Sequence, residues 1–192
     1  SYIDLGASAV SPQIFDTAAA AAGLRGLYLK GTALATLNVV KGKVGLAAYM
    51  GEVSTVTTIR CVGAEASVWC GSGVTLTTFF QTASDADGSQ LNSAATTVTS
   101  FGGQLKTREV GAITTLNVYG GTVKPESTGA ITTLNHYDGT VDFLGSGAAR
   151  TVTTYVRQRQ TAVRKLDRSY ITITTDTAFT SGPVTETYQA AA

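Results

Sequence analysis

Charged side chains are scarce in this chain of 192 residues. Only 14% of the residues are charged and the formal net charge is +1, whereas soluble globular domains carry about 25% charged residues. A nucleic-acid-binding domain is expected to have a pI above about 9, and the sequence pI of about 7.7 does not fit that class. Low charge with abundant Thr, Ala and Gly favours a component of a close-packed assembly over a free cytosolic enzyme.

Long apolar runs are missing as well. No run reaches the roughly 20 residues that a membrane-spanning helix needs, so we expect no membrane association. The first five residues lack the basic region and apolar stretch of a signal peptide. The length suits one domain with a sizeable core.

Cysteine and histidine, the usual metal ligands and nucleophile partners, are nearly absent. Cys61 and Cys70 have no histidine near them in sequence, which argues against a metal site. A disulfide between them is possible, and two half-buried thiols are the favoured state. His136 is the single histidine, so a Ser-His-Asp triad has little support, and we expect this side chain to face solvent.

One acidic segment needs separate treatment. Residues 85–89 resemble the start of a calcium loop, but the EF-hand pattern would require a glutamate where Thr96 stands. An ordinary acidic turn is therefore favoured. We predict that the protein binds no metal and no cofactor.

What the chain has in abundance is a repeat. Gly111–Val123 returns eighteen residues later as Gly129–Val141, with two differences. Weaker copies of the same unit, an apolar residue, two threonines and another apolar residue, extend in both directions. Their second threonines are Thr36, Thr58, Thr78, Thr97, Thr115, Thr133, Thr154 and Thr175. A unit this short cannot bury its own apolar face, so the copies must stack on one another.

The residue types within each unit predict strands. β-Branched residues favour strands, a Gly-Gly or Asp-Gly pair supplies a bend with positive φ, and a second strand begins at Thr122 or Thr140. We predict an all-β, single-domain parallel β-solenoid of about eight coils of 18–22 residues, with the second threonines stacked as a ladder. Variable coil lengths favour a right-handed β-helix, although an eighteen-residue coil also fits a left-handed one. An antiparallel meander of hairpins is the alternative.

The repeat divides the chain into three regions. Residues 1–30 carry no repeat, and residues 16–23 have the pattern of a capped short helix. Residues 31–180 form the solenoid and residues 181–192 a C-terminal arm. A solenoid must protect its open ends from edge pairing, so residues 1–30 are either a cap or an arm that reaches a neighbouring subunit.

Parallel β-helices include polysaccharide-degrading enzymes, which makes the carboxylates informative. Glycoside hydrolysis uses two carboxyl groups roughly 5–10 Å apart, and side chains one coil apart stack about 5 Å apart. In the regular coils Asp138 stacks on Gly120 and Asp142 on Lys124, so no acidic ladder forms. We predict that the protein is not an enzyme.

Charge is uneven at one place, between residues 150 and 168. The six basic residues there, against the single acid Asp167, are Arg150, Arg157, Arg159, Arg164, Lys165 and Arg168. They form either a solvated edge or a surface that docks on an acidic partner, with nucleic acid less favoured. We treat them as candidate partner-binding residues.

The strings Ile113–Val123 and Ala149–Thr154 resemble segments of small repeat-containing structural proteins of tailed bacteriophages. The resemblance covers mainly residues 93–160 and departs at residues 155–158. It implies a virion protein, either a decoration (cement) protein on the outside of the capsid or, less favoured, part of a tail fibre. It supplies no functional residues.

The hypothesis that follows is a non-enzymatic decoration protein, assembled in the host cytoplasm and located on the capsid surface. Its expected partners are the major capsid protein and further copies of itself, with a trimer favoured. The alternatives are a tail-fibre or receptor-binding module and a polysaccharide-degrading enzyme.

Overall fold

The computed structural model describes residues 2–6, 11–14, 26–31, 33–47, 52–109, 111–145, 149–159, 161–166, 169–178 and 186–188. Within these ranges the regular structure consists of strands. Their bounds are β1 Tyr2–Asp4, β2 Gln13–Ile14, β3 Leu27–Lys30, β4 Ala33–Val39, β5 Gly42–Leu46, β6 Ser54–Cys61, β7 Ala66–Cys70, β8 Val74–Gln81, β9 Ser89–Leu91, β10 Ala95–Ser100, β11 Gln104–Thr107, β12 Ile113–Val118, β13 Thr122–Pro125, β14 Ile131–His136, β15 Thr140–Asp142, β16 Arg150–Arg157, β17 Val163–Leu166, β18 Ile171–Ala178 and β19 Glu186–Tyr188.

Successive strands alternate between two sheets. The odd-numbered strands form a ten-stranded sheet and the even-numbered strands a nine-stranded sheet, each in sequence order. Every coil therefore adds one strand to each sheet, parallel to the strand of the coil before it. This confirms the predicted all-β parallel solenoid, and the antiparallel hairpin meander is wrong.

The threonine ladder has the predicted register. Thr97 pairs with Thr78 and Thr115, and Thr115 pairs in turn with Thr133. The same register continues outward to Thr36 at one end and Thr175 at the other. The ladder lies on the outer side of the nine-stranded sheet, where most of these side chains are half-buried.

Apolar residues of both sheets point into the space between them. In β12, Ile113, Leu116 and Val118 are buried, and the outward residues are Thr114, Thr115 and Asn117. Two consecutive outward threonines break the strict alternation of a strand, so the strand bends at this point. Equivalent residues of neighbouring coils stack directly above one another, which gives one continuous core along the axis.

The described parts of both terminal segments belong to the sheets. β1 pairs with β3, β2 pairs with β4, and β19 pairs with β17. The first strands thus continue the solenoid within residues 1–30, and β19 does so within the predicted C-terminal arm. The helix predicted at residues 16–23 lies outside the described residues.

Glycines stack at one turn of the regular coils. Gly103, Gly121 and Gly139 follow one another in successive coils with φ of 74°, 78° and 80°, the left-handed region that disfavours other residues. A Cβ atom on Gly121 would overlap the backbone of Gly102 and Gly103 in the coil before it. The close approach of successive turns therefore depends on the missing side chain.

Substituting Gly121→Ala should lower the free energy of unfolding by about 2 kcal/mol or more, because the left-handed conformation alone costs about 1–2 kcal/mol and the overlap adds to it. Gly145→Ala is the control, since its Cβ would meet only the Glu126 carboxylate at 3.7 Å; its expected effect is within about 0.5 kcal/mol. Urea denaturation measures both. Equal midpoints for the two variants would contradict the stacked turn.

Candidate docking surface

The structure places three of the six predicted partner-binding residues in the interior. Arg150, Arg157 and Arg164 are 3%, 6% and 4% exposed. These three side chains therefore do not belong to a solvated edge, one of the two alternatives that the sequence left open, and they are not exposed for docking either. Arg157 and Arg164 occupy inward positions, because the stacking register carries these positions inward in every coil. In earlier coils the same rows hold both apolar residues such as Val118 and Val123 and buried polar ones such as Gln81, Ser89 and Ser100.

Arg150 lies in the wall of the solenoid and is bonded to the coil before it. Its guanidinium donates hydrogen bonds to the Pro125 carbonyl at 2.6 Å and to Ser127 Oγ at 2.7 Å. Burial lowers the pKa of Arg150 to about 10. Its role in this structure is to join two coils.

Arg164 is part of a polar end to the core. Its Nη1 lies 2.6 Å from an Asp176 carboxylate oxygen, and its guanidinium lies 4.7 Å from the centre of the Tyr155 ring. A cavity of about 380 Å³ opens beside this pair, lined also by Leu166, Ile171 and Ile173. The last coils thus contain an ion pair, Arg164 with Asp176, beside the apolar core.

The other three basic residues are placed differently. Arg159 is exposed, Lys165 is half-buried with Nζ 3.7 Å from Asp142 Oδ2, and Arg168 lies outside the described residues. The six residues therefore do not form one surface. Partner binding by Arg159 and Lys165 stays a prediction.

His136 is fully buried, so the expectation that it faces solvent is wrong. Its Nε2 lies 3.2 Å from the Gly139 carbonyl, which can only accept, so Nε2 carries the proton. Nδ1 then accepts from the Tyr155 hydroxyl at 2.7 Å. Burial lowers the pKa of His136 to about 4, and the nearby Arg157 and Arg164 charges act in the same direction.

The fold should lose stability through His136 as the pH falls from 6.5 to 4. Over this range the unfolded chain binds a proton at this side chain and the folded chain does not. The free energy of unfolding therefore decreases as the pH decreases, by on the order of 3 kcal/mol from this group. Urea denaturation at several pH values measures the slope.

The matched variant is His136→Val with Tyr155→Leu. It restores apolar side chains at both positions, as in the coil of Leu116 and Val118, without leaving the tyrosine hydroxyl unpaired. Its stability should depend less steeply on pH than that of the wild type. Identical slopes would show that His136 does not titrate in this range.

The two cysteines and the acidic turn, the other residues considered for chemistry, are buried or paired within the fold. Cys61 and Cys70 are free and fully buried, and burial raises their pKa values to about 11 and about 12. The Lys43 ammonium is paired with Asp85 and Asp87, which accounts for the acidic turn. Across the described ranges, no three His, Cys, Asp or Glu side chains come together as metal ligands would.

The outer face of the nine-stranded sheet is organised in five rows that run along the axis. The first row is Ala33, Thr55, Thr75, Ala94, Ala112, Ala130, Thr151 and Thr172. The second row is Ala35, Thr57, Thr77, Thr96, Thr114, Thr132, Thr153 and Thr174. The third row is the threonine ladder. These three rows, occupied throughout by threonine or alanine, are called the Thr/Ala array below.

Two further rows complete this face. The fourth row is Asn38, Arg60, Phe80, Thr99, Asn117, Asn135, Val156 and Thr177. The fifth row, immediately beyond the strands, is Val40, Val62, Thr82, Phe101, Tyr119, Tyr137 and Gln158. Among the described residues of the five rows, Arg60 is the one charged side chain.

Stacked rings form an aromatic ridge in the fifth row. The ring centroids of Phe101 and Tyr119 are 4.6 Å apart and those of Tyr119 and Tyr137 are 4.3 Å apart, with interplanar angles of 6° and 7°. Phe101 and Tyr119 remain 46% and 39% exposed. Because the rings cover one another's faces, the ridge offers apolar edges and tyrosine hydroxyls, which suit a protein surface better than the face of a sugar ring.

The outer side of the ten-stranded sheet has the opposite character. Its outward charged side chains are Lys30, Lys43, Lys106, Lys124, Asp142 and Lys165. The scarce charge of the chain is therefore concentrated away from the nine-stranded sheet. A face with a single charged side chain and exposed aromatic residues is therefore the candidate docking surface.

Sequence reasoning missed this surface although the repeat contains it. The register that stacks the second threonines also stacks the residues before and after them, and each of these rows can be read from the sequence. The same register would have placed Arg157 beside His136 and Arg164 beside Val141, and hence inside. The number of charges in a segment was a poorer guide than their position in the coil.

Comparisons with protein-family models, with curated proteins and with solved structures find no match to this chain. Over the described residues, no helix has the length and apolar character to cross a membrane.

Proposed function

We propose that the protein is a non-enzymatic structural component of a virion, a decoration (cement) protein that binds the outside of a bacteriophage capsid. The observation that supports this most is the outer face of the nine-stranded sheet, which carries one charged residue, Arg60, in its described rows and has the aromatic ridge along one side. Exposed apolar side chains on a rigid scaffold favour stable contact with another protein. The fold provides them directly after parallel strands that hydrogen bonds fix in register.

The dimensions of the face fit a cementing role. Nine strands spaced about 4.8 Å apart extend roughly 40 Å along the axis, enough to contact more than one capsid protein subunit. A rod that bridges two subunits resists their separation because its own coils are joined by continuous hydrogen-bonded sheets. The proposed partner is the major capsid protein, and the proposed location is the capsid surface after assembly in the host cytoplasm.

Particle composition tests the proposal directly. Mass spectrometry of purified particles should detect the protein, and labelling with a specific antibody in electron micrographs should place it on heads. Its absence from particles would refute the proposal, and labelling confined to tails would favour the tail-fibre alternative.

The aromatic ridge should be required for attachment. Phe101→Lys with Tyr119→Lys introduces two charges into an apolar contact, and we expect at least about a tenfold weaker binding to particles that lack the protein. Thr122→Lys with Thr140→Lys, on the outer side of the ten-stranded sheet, is the control with the same added charge and should bind like the wild type. Co-sedimentation measures both.

Salt provides a second measure of this contact. Attachment through the aromatic ridge, which has no charged residue, should change little with ionic strength, whereas docking of a basic patch on an acidic surface weakens as salt rises. Strong weakening of wild-type binding by salt, or unaltered binding of the ridge variant, would contradict the ridge as the contact.

A further inference from the structure

The Thr/Ala array is more uniform than folding requires. All its positions, three rows across eight coils, hold threonine or alanine, while the inward residues of the same strands range from Ala95 to Phe79 and Arg157. Strand preference accounts for the threonines but not for the alanines, and it does not account for the lack of valine, isoleucine and aromatic residues, which strands also favour. What is kept constant is a small, uncharged outer side chain.

Solubility does not explain it either. The second row is exposed in every coil, and exposed strand positions are where charged residues normally stand. The chain has 27 charged residues in total, 14 basic and 13 acidic, and none lies in the array. A surface kept flat and neutral over its whole length is a surface that another molecule contacts.

The even spacing of the array narrows the identity of that molecule. A partner of unrelated fold has no reason to need the same side chain at every coil, whereas a second solenoid laid alongside has the same spacing of about 4.8 Å. We propose that the Thr/Ala array is the surface through which copies of this chain associate side by side, with their axes aligned.

The chemistry of the array suits contact with its own copy. A charged face would repel an identical one, and this face carries no charge. Threonine hydroxyls both donate and accept hydrogen bonds, so two threonine rows can satisfy each other, and the short side chains let two sheets approach to about 10 Å. The aromatic ridge lies two rows beyond the ladder and stays available for another partner.

The size of the array indicates a weak, concentration-dependent contact between copies. Eight coils about 4.8 Å apart and three residues about 3.3 Å apart give a strip of roughly 38 by 10 Å, so one pair would bury on the order of 800 Å², an area typical of weak or transient interfaces.

The test needs only the purified full chain, so it is independent of capsid binding. Sedimentation equilibrium should give a mass that is a multiple of the 19.8 kDa monomer. Thr114→Lys with Thr132→Lys should sediment as a monomer, because both side chains are exposed in the single copy and the charges would face each other in the assembly. The control, Thr122→Lys with Thr140→Lys, should sediment like the wild type.

A wild type that is monomeric at all accessible concentrations would overturn the proposal, and so would an oligomer that survives the array lysines. A gentler variant covers the case in which the lysine variant fails to fold. Thr114→Cys adds an accessible thiol to a chain whose Cys61 and Cys70 are buried. Mild oxidation should cross-link it to a second copy, while Thr122→Cys should stay uncross-linked; equal cross-linking of the two would refute the array as the contact.

Discussion

The register between successive coils is the constraint on which the rest of the structure depends. Parallel pairing sets each residue beside its equivalent in the next coil, so every position along the coil becomes a row along the axis. Inward rows become the core, outward rows become faces, and the glycine turns can stack because each lacks a side chain. A residue in this protein is therefore defined more by its row than by its neighbours in sequence.

Because of the same constraint, the solenoid needs a way to stop. An apolar core that continued unchanged would leave its last coil open to pairing with another chain. Here the inward rows change from Val118 to His136 to Arg157, and from Leu134 to Tyr155 to Asp176. The Arg164–Asp176 ion pair and the hydrogen bond between His136 and Tyr155 take the place of apolar contacts in these coils. The interior of the last described coils is thus more polar than that of the coils around β12.

Much of the fold could be predicted from the sequence, because equivalent residues of the repeat show which positions of successive coils lie side by side. The parallel solenoid and the threonine ladder followed from the second threonines alone. The sequence analysis did not predict the burial of Arg150, Arg157, Arg164 and His136, because it gave more weight to the polarity of a side chain than to its position in the coil. A polar side chain can be buried when it has a hydrogen-bonding partner, as Ser127, Asp176 and Tyr155 provide here. Those partners are brought close by the coil geometry, which residue type alone does not convey.

The close similarity of the coils that begin at Gly111 and Gly129 has a consequence for how the molecule can change. Each coil contacts only the coils before and after it, so duplicating one eighteen-residue unit would lengthen the rod by a single step of about 4.8 Å and leave both ends intact. The length of the solenoid is therefore set by the number of coils. A gene that gains or loses one unit encodes a longer or shorter solenoid with the same faces and the same ends.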